Sequence, residues 1–160
     1  MTGRRDAISY EGQELAFTRT LSAPRARVWR AWTDPKQLAL WWGPNGFTNP
    51  VCELDPRPDG VIRIHMRAPD GTVYPMIGTV REVTSPERLV FASEALEDGK
   101  PLFRVLTTVT LAEQDGRTVQ TVRARVEKVM AEKAADYLRG MQEGWSQSLE
   151  RLATQFLAAA

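Results

Sequence analysis

The sequence predicts an α+β domain, a curved antiparallel sheet of about seven strands packed against one long C-terminal helix, with two short helices after the first strand. Three observations carry this prediction. From Asn49 to Lys128 the chain is a series of short β-branched runs cut by turn signals: Pro-Asp-Gly, "APDGT", "TSPE" and "EQDGR". The segment before it opens like a helix entered through proline. The segment after it repeats apolar residues at steps of three or four.

Taken in order, residues 1–12 are polar and aperiodic and read as a flexible tail, leaving 13–158 as one folded domain. "ELAFTRTLS" alternates Leu15 and Phe17 against Ala16 and Thr18, a short strand. In "SAPRARVWRAWTD", Ser22 is placed to cap a helix that has Pro24 in its first turn and Val28, Trp29 and Trp32 on one face. Pro35 ends that helix at Asp34. "PKQLALWW" forms a second short helix, stopped by Gly43-Pro44. Residues 101–128 read as a hairpin turning at "EQDGR", with Val105, Thr107, Val109 and Leu111 on one face of its first run and Val122, Ala124 and Val126 on one face of the second. The last helix, roughly 28 residues long, carries Leu138, Met141, Trp145, Leu149, Leu152 and Phe156 as an apolar stripe. Gly140 and Gly144 interrupt it, each costing about 1 kcal/mol relative to Ala. Glycines there fit a bend or the close approach of another group.

Bulk properties remove several function classes. Twenty-one Lys and Arg against twenty Asp and Glu leave a net charge of +1, which supplies no attraction for nucleic acid or an anionic membrane. A single cysteine, Cys52, excludes an intrachain disulfide and any multi-cysteine zinc site, and fits a reducing cytoplasm. The N-terminal residues lack the apolar core of a signal peptide. One histidine, His65, alternates with Arg63 and Arg67 on what should be the outer sheet face, a poor place for a general base. Glu53 and Asp55 fall on the side opposite Cys52 and Leu54, again towards solvent. HExxH, CxxC, P-loop and GxGxxG patterns are missing, so neither a metal nor another cofactor is expected, and no catalytic residue is assigned.

What remains is a question of volume. One helix about 10 Å across cannot fill the concave face of a strongly curved seven-stranded sheet. The surplus is either packed with large side chains or left as a cavity. "LALWWGPNGFTNP" (38–50) sits at that boundary: Trp41, Trp42 and Phe47 either close the base of the core, rim a pocket or face a protein partner. Met141 and Trp145 lie on the inner stripe of the helix. Ile62, Ile64, Met66, Tyr74, Met76, Phe91, Val109 and Val122 are the expected pocket residues of the sheet, and a Tyr74 hydroxyl turned into an apolar space would need a partner.

In combination, "LSAPRARVWRAWTDPKQLALWWGPNGFT", "MRAPDGTVYPMIGTVREVTSPERLVF", "LTTVTL" and "GMQEGWSQSLERLA" resemble the START-like, helix-grip (SRPBCC) superfamily. The most similar branch is the C-terminal domain of the activator of the ninety-kilodalton heat-shock chaperone's ATPase. The likeness runs from about Leu15 to Leu157, in order and with family-like spacing. "VEKVMAEKAADYL" is its most divergent part. The resemblance implies a pocket between the long helix and the sheet that takes lipids, polyketides or other apolar molecules, and in some branches cyclises them. One fold hosts all these roles. Three readings follow. The first is a protein that binds an apolar small molecule, as a monomer or homodimer. The second is a cyclase or hydratase working through Tyr74 and a carboxylate such as Glu143. The third, implied by the branch's name, is a chaperone-interaction module, and chaperone binding is not expected of this chain.

Overall fold

The structure is a computed structural model that describes residues 7–156. It contains β1 (Glu14–Leu21), α1 (Arg25–Thr33), α2 (Pro35–Trp41), β2 (Thr48–Leu54), β3 (Val61–Arg67), β4 (Val73–Thr84), β5 (Arg88–Glu97), β6 (Lys100–Gln114), β7 (Arg117–Val129), α3 (Ala134–Leu138) and α4 (Met141–Thr154). The strands form one seven-stranded antiparallel sheet in the order β1-β7-β6-β5-β4-β3-β2, so only the β1–β7 pairing joins strands distant in sequence.

The tight hairpins follow from their Asp-Gly pairs. Asp98-Gly99 has φ 53° and 75°, and Asp115-Gly116 has φ 54° and 76°. Two successive positive φ values make the turn whose twist matches paired strands. Curvature comes from register shifts that leave one residue unpaired in each of three strands, Arg81 of β4 against β5, Leu102 of β6 against β5 and Glu127 of β7 against β6. It also comes from Gly78, where a Cβ would fall 1.9 Å from the Ala92 carbonyl oxygen. Strand β4 therefore leans on β5 as no other residue permits.

Helices α1 and α2 close one end of the resulting gutter. The cap of α1 differs from expectation: Pro24, extended at ψ 153°, occupies it, and Ser22 lies upstream, off the helix. The free Arg25 N–H is taken instead by the Glu113 carboxylate of β6, at 2.9 Å. Asp34 caps α2 through the Lys36 N–H at 2.9 Å, with Pro35 at the first helical position. Two buried polar links fix α1 to the sheet: the Trp32 indole donates to Gln120 Oε1 at 2.8 Å, and the Thr118 hydroxyl donates to the Ala23 carbonyl at 2.7 Å.

The C-terminal segment is two helices rather than one long rod. It breaks between α3 and α4 at Gly140, whose φ of −94° and ψ of 1° make it the cap of α4. Low helix propensity at Gly140 makes this the cheapest point to bend. The expected tail also differs in its second half. Ala7 is fully buried, Gly12 donates to the Val126 carbonyl at 2.8 Å, and Glu11 accepts from the Val129 N–H at 2.8 Å. Residues 7–12 thus pack at the end of the β1–β7 pair, while 1–6, 157 and 158 lie outside the described residues. Among the described residues no helix is long and apolar enough to cross a membrane.

Candidate ligand cavity

The Trp42–Phe47 loop is placed by the C-terminal helix. Arg151 of α4 reaches under it, and its guanidinium donates to the carbonyls of Trp42, Gly43 and Pro44 through Nη1 (2.9–3.1 Å) and of Leu40 and Phe47 through Nη2 (3.2 Å). Burial lowers the Arg151 pKa from its ordinary value. The planar fork satisfies a loop that has few partners of its own. Ser148 and Gln147 of the same helix accept from the Gly43 and Asn45 N–H groups, at 3.0 and 2.9 Å. Gly43 needs its left-handed φ of 95°, and a Cβ there would press to 3.1 Å from Met66 Sδ.

This clamp sends the adjacent tryptophans to different places. Trp41 ends α2 fully buried, donates to the Ala31 carbonyl at 3.0 Å, and meets Trp32 edge-on with ring centroids 4.6 Å apart. Trp42 is the C-cap residue, extended at ψ 135°, and its ring turns towards α4, 5.4 Å from Trp145 in an edge-to-face contact. Trp42 also lies 5.8 Å from Trp41 and 6.2 Å from Phe91, so it separates a filled region from a hollow one.

The hollow is a cavity of about 230 Å³ between α4 and strands β3 to β6. Of the thirteen residues expected there, it brings together six: Trp42, Met66, Tyr74, Met76, Met141 and Trp145. Seven are elsewhere. Trp41 is in the closed end, and Ile62, Ile64, Phe91, Val109 and Val122 are core residues exposed by 1% or less. Phe47 stands outside, 6.1 Å from the Tyr74 ring. Alternation assigned the sheet residues to the concave face, but not how far along it the packing ends.

The wall also contains residues that sequence reasoning left out, including Ser93, Ala95, Phe103, Val105, Thr107 and Tyr137. Hairpin alternation had placed Val105 and Thr107 on the correct face. Tyr137 lies in the divergent segment, where no pattern marked it. Its ring contacts Tyr74 and Phe103, with centroids 6.0 and 6.1 Å away, and its hydroxyl donates to Glu97 at 3.3 Å. Burial, reinforced by the Glu97 charge, pushes its pKa up to about 12. Glu97 is itself held below its usual range by Lys133, at 2.5 Å. Tyr74, Pro75 and Tyr137 also border a second, more polar hollow lined by Glu97, Asp98, Lys133 and Asp136. The two tyrosines therefore stand between an apolar interior and a charged mouth.

The reactive groups lie away from the wall. His65 is half-buried in β3, paired with Val51 and Pro75. Glu53 is exposed and ion-paired with Arg63 at 3.6 Å, and Asp55 with Arg57 at 2.7 Å. Glu143 is exposed and accepts from Gln147 at 3.2 Å, so it is not a pocket carboxylate. Burial pushes the Cys52 thiol up to about 11, the state of an unreactive thiol. Among the described residues no cluster of His, Cys, Asp and Glu is placed to hold a metal.

Comparison with known proteins agrees with this architecture. Protein Ms6760 of Mycobacterium smegmatis superposes with a TM-score of 0.76 at 27% identity, covering 97% of this chain and 94% of that one. Protein CV1439 of Chromobacterium violaceum gives 0.75 at 30% identity, covering 91% and 98%. The AHSA1 protein of Silicibacter pomeroyi shares the fold at 23% identity, with a TM-score of 0.75 over 89% and 96% of the two chains. No curated protein matches the chain. The family model described as "Activator of Hsp90 ATPase homolog 1-like protein" matches residues 22–156, and the chain belongs to that family, within the START-like superfamily.

Proposed function

We propose that this protein binds a small, uncharged, mainly apolar molecule in the cavity between α4 and the sheet. The observation that carries this reading is the void itself, about 230 Å³ with no charged residue on its wall, between Trp42, Met66 and Trp145. It is at the small end of ligand pockets, which run from about 300 Å³ upwards. Cavity walls forfeit dispersion contacts that a guest restores, and the thioethers of Met66, Met76 and Met141 adapt to more than one shape. The family's printed description refers to an activator of the Hsp90 ATPase. We propose that this chain acts without that partner, because its distinguishing feature is internal and its outer sheet face carries the Arg81–Glu127–Arg104–Glu94 ion pairs. A free Cys52 fits a reducing cytoplasmic setting.

The test is a thermal-shift and native mass-spectrometry screen of small aromatic, alicyclic and fatty compounds, repeated on Ala95→Phe, whose ring would occupy the void. Neutral ring compounds should stabilise the wild type and leave Ala95→Phe unaffected. If none shifts the wild type, or if both proteins respond alike, the cavity is not a ligand site.

A further inference from the structure

Two hydroxyls on the cavity wall have nothing to bond. Thr107 is 1% exposed and lines the void, and its hydroxyl has no hydrogen-bond partner among the described residues. Ser93, also on the wall, is likewise without one. Their ladder neighbours explain why. Thr107 lies between Phe91 of β5 and Ala124 of β7, and Ser93 between Gly78 of β4 and Val105 of β6. None of these carries a polar side chain. Because Ser93 pairs with Val105, Thr107 is its diagonal neighbour on the same face, about 7–8 Å away by backbone spacing.

Their position along the gutter is also informative. Tyr74 and Tyr137 stand at the mouth. Moving inwards along β5 the wall runs Ala95 and then Ser93; along β6 it runs Phe103, Val105 and then Thr107. The next residues on that face, Phe91 and Val109, belong to the packed core, with 1% and 0% exposure. The hydroxyl pair is therefore on the part of the wall that adjoins the packed core. The third hydroxyl of the inner wall, Ser148, is already committed, accepting from Gly43 and donating to the Gly144 carbonyl.

We infer that Ser93 and Thr107 are a polar anchor that selects ligands entering oxygen-first: a ring-sized apolar body ending in one neutral carbonyl or hydroxyl oxygen. This rests on the ligand-binding reading above and narrows it. Both hydroxyls face the void without a partner among the described residues, and a site built to bond an oxygen rejects the analogue lacking it. A carboxylate at this depth would meet no cation, since every wall residue is uncharged. A fatty acid inserted head-first is thereby disfavoured. Size points the same way: a cavity of about 150 Å³ holds benzene, so about 230 Å³ suits one or two rings.

The experiment compares 2-naphthol with 2-methylnaphthalene, near-equal in shape, by NMR titration of the 15N-labelled protein and of Thr107→Val, Ser93→Ala and the double variant. The wild type should prefer the naphthol about tenfold, the worth of one to two hydrogen bonds. Each single variant should reduce that preference several-fold and the double variant abolish it, with affinity for the hydrocarbon held within about twofold. Equal affinities in the wild type, or a preference surviving in the double variant, would overturn the anchor and leave the cavity reading standing. Failure of both compounds to bind overturns the two together.

Discussion

The two ends of the gutter are built from the same sheet, yet one is solid and the other hollow. At the closed end α1 and α2 insert Trp32 and Trp41, both essentially inaccessible, and Leu89, Val109 and Leu152 fill the remainder. At the open end the sheet is covered by α4, preceded by a bend at Gly140 and carrying Gly144, where a Cβ would lie 3.8 Å from Pro44. Opposite them the sheet presents Ala95 and Ser93 where bulk would be needed. The difference teaches that hydrophobic content does not decide whether a core closes. Tryptophans border both ends; small residues facing one another border only one.

The sharpest way to break this comparison is to make the same truncation at each end. Trp41→Ala should cost about 4 kcal/mol in urea unfolding, since a close-packed site cannot collapse around the loss. Arg151→Met should cost about 3 kcal/mol, lowering Tm by about 6–12 °C, because five loop carbonyls lose its guanidinium. Among the described residues only those of Trp42 and Pro44 keep a second donor, from Asn49 and the Phe47 N–H. Arg151→Lys should recover only part of this, an ammonium being unable to span both sets of acceptors. Trp145→Ala should cost only about 2 kcal/mol, less than its counterpart, since its ring already borders a void. Equal costs for Trp41→Ala and Trp145→Ala would mean the open end is packed after all. Gly144→Ala should run the other way, adding about 1 kcal/mol of stability, because the Cβ meets only ordinary contact at Pro44 while helix propensity improves.

The smallest effect is one of pH. Tyr137 is held neutral to about pH 12, above its ordinary value of 10.0. A group whose folded pKa is raised contributes its stability below the unfolded value and loses it as pH climbs through the folded one. The wild type should therefore lose stability relative to Tyr137→Phe between about pH 10 and 12. Absorbance at 295 nm should show a late tyrosine ionisation in the wild type that Tyr137→Phe removes.

The fold was readable because its signals are local. Asp-Gly turns, period-two alternation and a proline-entered helix each act over a few residues, and together they specify the seven antiparallel strands and the helices around them. The site was half readable for the same reason. Alternation put Met66, Met76 and Thr107 on the concave face, but the extent of the void depends on what α4 lays over each of them. Trp41 and Trp42 show the limit most plainly. They are neighbours in sequence, and only the change from helix to extended backbone at Trp42, stabilised by an arginine far along the chain, sends one ring to the core and the other to the cavity. Tyr137 was invisible because its significance comes from Glu97 and Tyr74, which the fold brings to it.

Arg151 also has a bearing on how the chain is made. The carbonyls it gathers lie 104 to 111 residues upstream. At a synthesis rate of about 5–20 residues per second, the double-tryptophan loop emerges from the ribosome roughly 5–20 s before its clamp exists. During that interval the Trp42–Phe47 loop lacks Arg151 and Trp42 lacks its Trp145 contact, which leaves aromatic surface open to other chains.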